Sequence, residues 1–130
     1  MSETIITRST LAALGIAHGD AAGKSRRAYR VYRDSVERAR VRAATDDATK
    51  DEIGADELGH AWRERREGQF TLFRQIARTP ATSWAEIDVK PQALLSARAG
   101  LPETHPSAAS LLAMAESIAA DMRRLIEKAG

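Results

Sequence analysis

The chain has 130 residues, of which 43% are hydrophobic and 29% charged, a composition typical of one folded domain rather than of a disordered chain. It contains no cysteine, which excludes disulfide bonds, thiolate metal sites and a cysteine nucleophile. The net charge of +2 hides a local pattern, since residues 24–44 carry eight basic and two acidic residues and residues 46–57 carry six acidic and one basic.

The first 22 residues carry few structural signals, and we predict that residues 1–22 are flexible or form a short docking helix. The stretch from Gly19 to Ser25 is similar to a phosphate-binding loop, but three residues separate its glycines where that motif has four. The two glycines, Gly19 and Gly23, also fall where a helix-turn-helix motif would need its recognition helix. We therefore expect a glycine-containing loop here, without nucleotide or DNA chemistry.

A basic amphipathic helix is predicted over residues 24–44. Tyr29, Tyr32 and Val36 recur at spacings of three and four, which places them on one inner face. Arginines project from the other faces and can contact phosphates, an acidic protein surface or only solvent. The candidate partner-binding residues, for protein or nucleic acid, are Arg26, Arg27, Arg30, Arg33, Arg38, Arg40 and Arg42.

Three further helical segments follow. Residues 52–77 or 56–77 form the second helix, which ends before Pro80. Ser83 and Glu86 have the spacing of a capping box at the start of the third helix, which Pro91 should kink or divide into two short helices. The fourth helix begins near residues 106–107, and its apolar positions repeat at four, three, four and three: Leu111, Ala115, Ile118, Met122 and Leu125.

These elements predict an all-α fold in a single domain over residues 1–130. Short connections between consecutive helices favour antiparallel neighbours. We expect a bundle of about four helices built from two antiparallel hairpins, of which the first is long and highly charged.

Catalytic, metal and cofactor motifs are not evident. Glu57 and His60 have the spacing of one half of a helical di-metal site, but such sites need a second pair and two more carboxylates. We therefore predict no enzyme activity, no catalytic residue, no metal and no cofactor. No apolar run reaches the roughly 18 residues that span a bilayer, so we expect no membrane association and a cytoplasmic location.

Residues 79–95, which read TPATSWAEIDVKPQALL, resemble a stretch found in small helical proteins of unknown function from GC-rich bacterial genomes, phages and plasmids. Pro91 departs from that pattern, because the helix normally continues there. The resemblance implies an accessory protein of a mobile element, and it transfers no site residue.

Two functions remain open at this stage. The first is a non-enzymatic protein–protein interaction protein, an adaptor, inhibitor or oligomerising protein, that binds another protein or itself. The second is a nucleic-acid-binding accessory protein that uses the basic face of residues 24–44.

Overall fold

The computed structural model describes residues 9–42 and 48–129, with the side chains of the second range described from residue 54 onward. Within the described residues the protein is almost wholly helical and has no strand. The expected all-α fold is therefore confirmed, and a long first helix packs against the second. The helices are α1 (Thr10–Arg42), α2 (Ala48–Arg78), α3 (Val89–Ala97) and α4 (Ala108–Ala129).

The start of α1 differs from the prediction. The helix begins at Thr10 rather than near residue 24, so residues 10–22 are neither a flexible segment nor a separate short helix, and residues 1–8 lie outside the described part. Ser9 caps the helix, because its hydroxyl accepts a hydrogen bond from the Ala12 N–H at 3.0 Å. Leu11, His18 and Ala22 are buried along one side, and this packing outweighs the low helix propensity of the glycines.

α1 and α2 form a long antiparallel hairpin. Rings meet at 5.5 Å between His18 and Phe73 and at 4.7 Å between Tyr29 and Trp62, so residues further along α1 meet residues earlier in α2. A Cβ atom on Gly59 would lie 2.7 Å from Cε1 of Tyr32, which explains why this helical position carries a glycine. α4 also contacts α3 and α2, since Lys90 of α3 donates a hydrogen bond to Ser117 of α4, and Ser117 donates one to the Ala77 carbonyl oxygen near the end of α2.

Of the two alternatives predicted for the third helix, the structure has two short helices, although they divide before Pro91. A 3₁₀ turn covers Trp84–Glu86 and α3 begins at Val89, which leaves Pro91 in the first turn, where its missing N–H costs little. The expected capping box does not form, because the Ser83 hydroxyl makes no capping hydrogen bond and the Glu86 carboxylate accepts one from the Thr82 N–H at 2.7 Å.

The hydrophobic core lies at one end of the hairpin. Its buried members come from the start of α1, the end of α2, the segment that follows α2, and helices α3 and α4. Among the described residues, none of them comes from α1 beyond residue 14 or from α2 before residue 73. The remainder of the hairpin therefore extends away from this core. The buried core residues are Leu11, Phe73, Ile76, Ala81, Ala93, Ala97 and Met114.

The buried face of α4 is rotated from the predicted stripe. Met114, Asp121 and Leu125 are buried, whereas Ala115 and Met122 of the predicted stripe are exposed. Asp121 occupies a core position, and a charged residue there conceals the true stripe from a search for apolar periodicity.

Candidate functional site

The seven predicted arginines divide between two faces of α1. At 3.6 residues per turn, Arg26, Arg30, Arg33 and Arg40 lie within roughly 40° of one line along the helix, and the other three lie roughly 100° or more away. The second group consists of Arg27, Arg38 and Arg42, which are exposed.

Acidic residues interrupt both faces. Arg40 donates a hydrogen bond to Glu37 at 3.1 Å, with both side chains well exposed, and such surface pairs contribute little to stability. Asp34 lies on the helix between Arg27 and Arg38. The arginines therefore do not form one uninterrupted basic surface.

Three of the predicted arginines line one cleft. It has a volume of about 310 Å³ and lies between α1 and the chain that connects α3 to α4. Arg26 is fixed there, because its Nη1 donates a hydrogen bond to the Ser96 carbonyl oxygen at 2.8 Å, near the end of α3. We call this site the arginine cleft; its lining residues are Arg26, Tyr29, Arg30, Arg33, Ala99, Gly100, Leu101 and Thr104.

A second side chain of the arginine cleft is also held in place. The Tyr29 hydroxyl donates a hydrogen bond to Oε2 of Glu103 at 2.9 Å. Burial, followed by this contact with the Glu103 carboxylate, raises the pKa of Tyr29 above its usual value. Tyr29 therefore stays a neutral hydrogen-bonding group at physiological pH. Sequence analysis placed this tyrosine only on an inner face and missed its link to Glu103.

A buried charged network joins α2, α3 and α4. Lys90 donates hydrogen bonds to Oδ2 of Asp121 at 2.5 Å and to the Ser117 hydroxyl at 2.7 Å, and both charged side chains are almost wholly buried. Arg124 donates to Oδ1 of Asp121 at 2.6 Å. Burial by itself raises the pKa of Asp121, but hydrogen bonds from Lys90, Arg124 and the Ala81 N–H hold it below its usual value.

The Lys90–Ser117 pair has the composition of a serine–lysine dyad but not its chemistry. A lysine acts as a general base only when its amine is neutral. Here the Lys90 amine donates to the Asp121 carboxylate and to the Ser117 hydroxyl oxygen, and that hydroxyl in turn donates its proton to the Ala77 carbonyl oxygen at 2.6 Å. The network therefore binds three helices together rather than activating a nucleophile, and no local sequence pattern predicts it.

α4 presents an apolar surface to solvent. Leu112 is 60% exposed, Met122 43% and Ile126 57%, and Ala115 and Ala119 between them are also exposed. All five follow spacings of three and four, so they share one side of the helix next to its buried face. We call them the outer apolar face of α4. Ala115 and Met122 of this face belong to the apolar stripe that was predicted from the sequence.

Polar atoms without partners lie inside the long hairpin. Among the described residues, both ring nitrogens of His18, the Ser25 hydroxyl and the Trp62 indole N–H are buried and make no hydrogen bond. Burial, with a smaller effect of the nearby Arg26 charge, lowers the pKa of His18 to about 4. The imidazole is therefore neutral in the folded protein at physiological pH.

Glu57 and His60, whose spacing matches one half of a helical di-metal site, gather no further ligands among the described residues. His60 Nε2 lies 3.2 Å from Oε1 of Glu64, and both side chains are exposed. In the part of the chain that the structure describes, no group of three or more histidine or acidic side chains is placed to hold a metal ion.

Comparison of the chain with protein-family models, with curated proteins and with solved structures gave no match. The resemblance of residues 79–95 to small helical proteins of mobile elements therefore stays a prediction. Within the described residues, no helix combines the length and the apolar character that crossing a membrane requires.

Proposed function

We propose that the protein is a non-enzymatic protein–protein interaction module that pairs with a second copy of itself through the outer apolar face of α4. The supporting observation is the continuous exposure of Leu112, Met122 and Ile126 on one side of the most amphipathic helix. Contiguous exposed apolar surface on a folded domain marks a contact site more often than isolated apolar residues do.

The spacing of this face favours an antiparallel pair. Leu112 and Ile126 lie seven residues before and after Ala119, and Ala115 and Met122 lie four before and three after it. When two α4 helices cross at Ala119 in opposite directions, each Leu112 meets the Ile126 of the other copy. The small side chain at the crossing point lets the two helices approach closely.

Charges beside the face are complementary in the same arrangement. Glu116 precedes Ala119 by three residues and Arg123 follows it by four, and both lie on the same side of the apolar face. An antiparallel pair related by two-fold symmetry therefore brings the Glu116 of each copy near the Arg123 of the other. Two such exposed pairs contribute little affinity but favour this orientation over a parallel one.

The expected affinity is modest. Burying a large aliphatic side chain stabilises by about 1.5–3 kcal/mol, and these side chains are roughly half exposed, so each contributes about 1 kcal/mol. Six of them in a dimer give about 6 kcal/mol, which is less than the 8.2 kcal/mol of a micromolar complex. The dimer should therefore form above roughly 40 µM and dissociate on dilution.

Sedimentation velocity over a concentration series tests this proposal. The weight-average mass should rise towards twice the chain mass, and Leu112→Ser should shift the rise to at least tenfold higher concentration. Val41→Ser is the matched control, because Val41 is 69% exposed on α1, far from α4 in the chain. A chain that stays monomeric up to millimolar concentration, or equal effects of both variants, would contradict self-association through α4.

Nucleic-acid binding through residues 24–44 is the second candidate function. The exposed arginines support it, but their division between two faces and the neighbouring Glu37 and Asp34 weaken it. It requires affinity for duplex DNA or RNA that falls steeply with salt. The cytoplasmic location and the origin in a mobile element remain predictions from the sequence.

A further inference from the structure

We propose that the arginine cleft is a binding site for a phosphate group, carried by free phosphate or by a small phosphorylated molecule. This inference does not depend on pairing through α4, because the cleft lies between α1 and the connection from α3 to α4. It narrows the predicted set of seven arginines to three.

The arginine cleft is preorganised, because contacts within the protein fix the side chains that form its wall. The guanidinium of Arg26 is tied to the Ser96 carbonyl oxygen, and its aliphatic stem packs on Gly100. A Cβ atom on Gly100 would lie 3.1 Å from Cδ of Arg26 and 2.6 Å from the Thr104 hydroxyl oxygen, so any larger residue would displace this wall. Tyr29 is fixed by its hydrogen bond to Glu103.

The other two arginines of the cleft form no ion pair within the described residues. No described residue forms an ion pair or hydrogen bond with the side chain of Arg30 or of Arg33, whereas Arg40 on the same face is paired with Glu37. Gathering positive charges around one concave site is unfavourable unless an anion binds there. The unpaired guanidinium groups are thus the ones available to a ligand.

The charge of the cleft matches a phosphate better than a carboxylate. Arg26, Arg30 and Arg33 contribute three positive charges and Glu103 contributes one negative charge, which leaves a net charge of +2. A phosphate monoester carries about −1.5 to −2 charges and three acceptor oxygens, so it can accept from more than one planar guanidinium group. A single carboxylate carries half that charge.

Isothermal titration calorimetry at low ionic strength tests the proposal. The probes are inorganic phosphate and phenyl phosphate, and acetate is the carboxylate control. We expect saturable binding of phosphate that is at least tenfold tighter than that of acetate. Tighter binding of phenyl phosphate would assign the site to a phosphorylated organic ligand, because Ala99 and Leu101 offer it apolar contact. Equal binding would assign it to free phosphate. Both outcomes support the site.

Two matched double variants distinguish binding in the arginine cleft from non-specific attraction of phosphate to the positive charge of α1. Replacing Arg30 and Arg33 together with alanine should weaken phosphate binding at least tenfold, and circular dichroism should show that the variant is still folded. Replacing Arg27 and Arg38 together removes the same charge from the other face and should change binding less than twofold.

A third variant should raise the affinity for phosphate instead of lowering it. Glu103→Gln removes the negative charge but keeps an oxygen that can accept from Tyr29, so phosphate should bind more tightly than to the parent. Equal loss in the two double variants, equal affinity for phosphate and acetate, or no saturable binding would overturn the proposal. Binding of duplex DNA that both double variants weaken equally would indicate non-specific attraction and also count against it.

Discussion

The buried imidazole of His18 should make the stability of the protein depend on pH between about 6.5 and 4. Its pKa falls from 6.5 to about 4 on folding, first because of burial and then because of Arg26. The unfolded chain therefore takes up a proton more readily than the folded one. The contribution of His18 to the free energy of unfolding is fully present above pH 6.5, declines as the pH falls towards 4 and is lost below that value.

The size of this decline follows from the shift in pKa. Each unit of difference corresponds to about 1.4 kcal/mol, so His18 alone should reduce the free energy of unfolding by about 3 kcal/mol over this range. The carboxyl of Asp121 adds a separate loss at lower pH. Because its folded pKa lies below the usual 3.8, its contribution disappears only as the pH falls through and below that value.

Urea unfolding of the parent and of His18→Leu at several pH values checks this prediction. Leucine is close in volume and removes two buried nitrogens that lack partners, so the variant should be at least as stable at pH 7 and should lose most of the slope between pH 6.5 and 4.5. His60→Gln, at an exposed position, should keep the slope. The same slope in His18→Leu as in the parent would refute the reasoning.

Two further predictions concern helix packing and are measured by the same urea unfolding. Asp121→Ala should cost about 3–5 kcal/mol because it leaves the Lys90 ammonium buried without its partner, and the double variant Lys90→Met with Asp121→Leu should recover most of that loss; a cost below about 1 kcal/mol would contradict a buried pair. Gly59→Ala should cost about 1–3 kcal/mol because its Cβ would strike Tyr32, whereas Gly68→Ala, with no atom within 4 Å, should stabilise α2 by up to about 1 kcal/mol. Equal stability of the two glycine variants would contradict the contact between α1 and α2.

The sequence predicted the helical class well because helix periodicity and proline positions are local signals. It misplaced the start of α1 because Gly19 and Gly23 lower helix propensity by about 1 kcal/mol each. The structure shows that Leu11 and His18 are buried on the same helix, and tertiary packing of this kind is not visible in a local pattern.

The candidate sites were predictable only in part. The arginines were identified, but their division into a cleft and an opposite face depends on which residues of the α3–α4 connection lie beside α1. Asp121 was not predicted as a buried residue, because a buried carboxylate can be recognised only when its partner Lys90 is located, 31 residues away in the chain. Ala115 and Met122 of the outer apolar face of α4 fell in the predicted apolar stripe, because Asp121 conceals the stripe that is buried.

The central claim, antiparallel pairing through α4, is tested most directly by exchanging the charges beside its outer apolar face. Glu116→Arg or Arg123→Glu, each alone, places like charges opposite each other in both pairs of the dimer, so each variant should dimerise only at a several-fold higher concentration than the parent. An equimolar mixture of the two variants restores opposite charges at both pairs and should associate again. A mixture that stays monomeric while the parent dimerises, or single variants that dimerise like the parent, would contradict the arrangement.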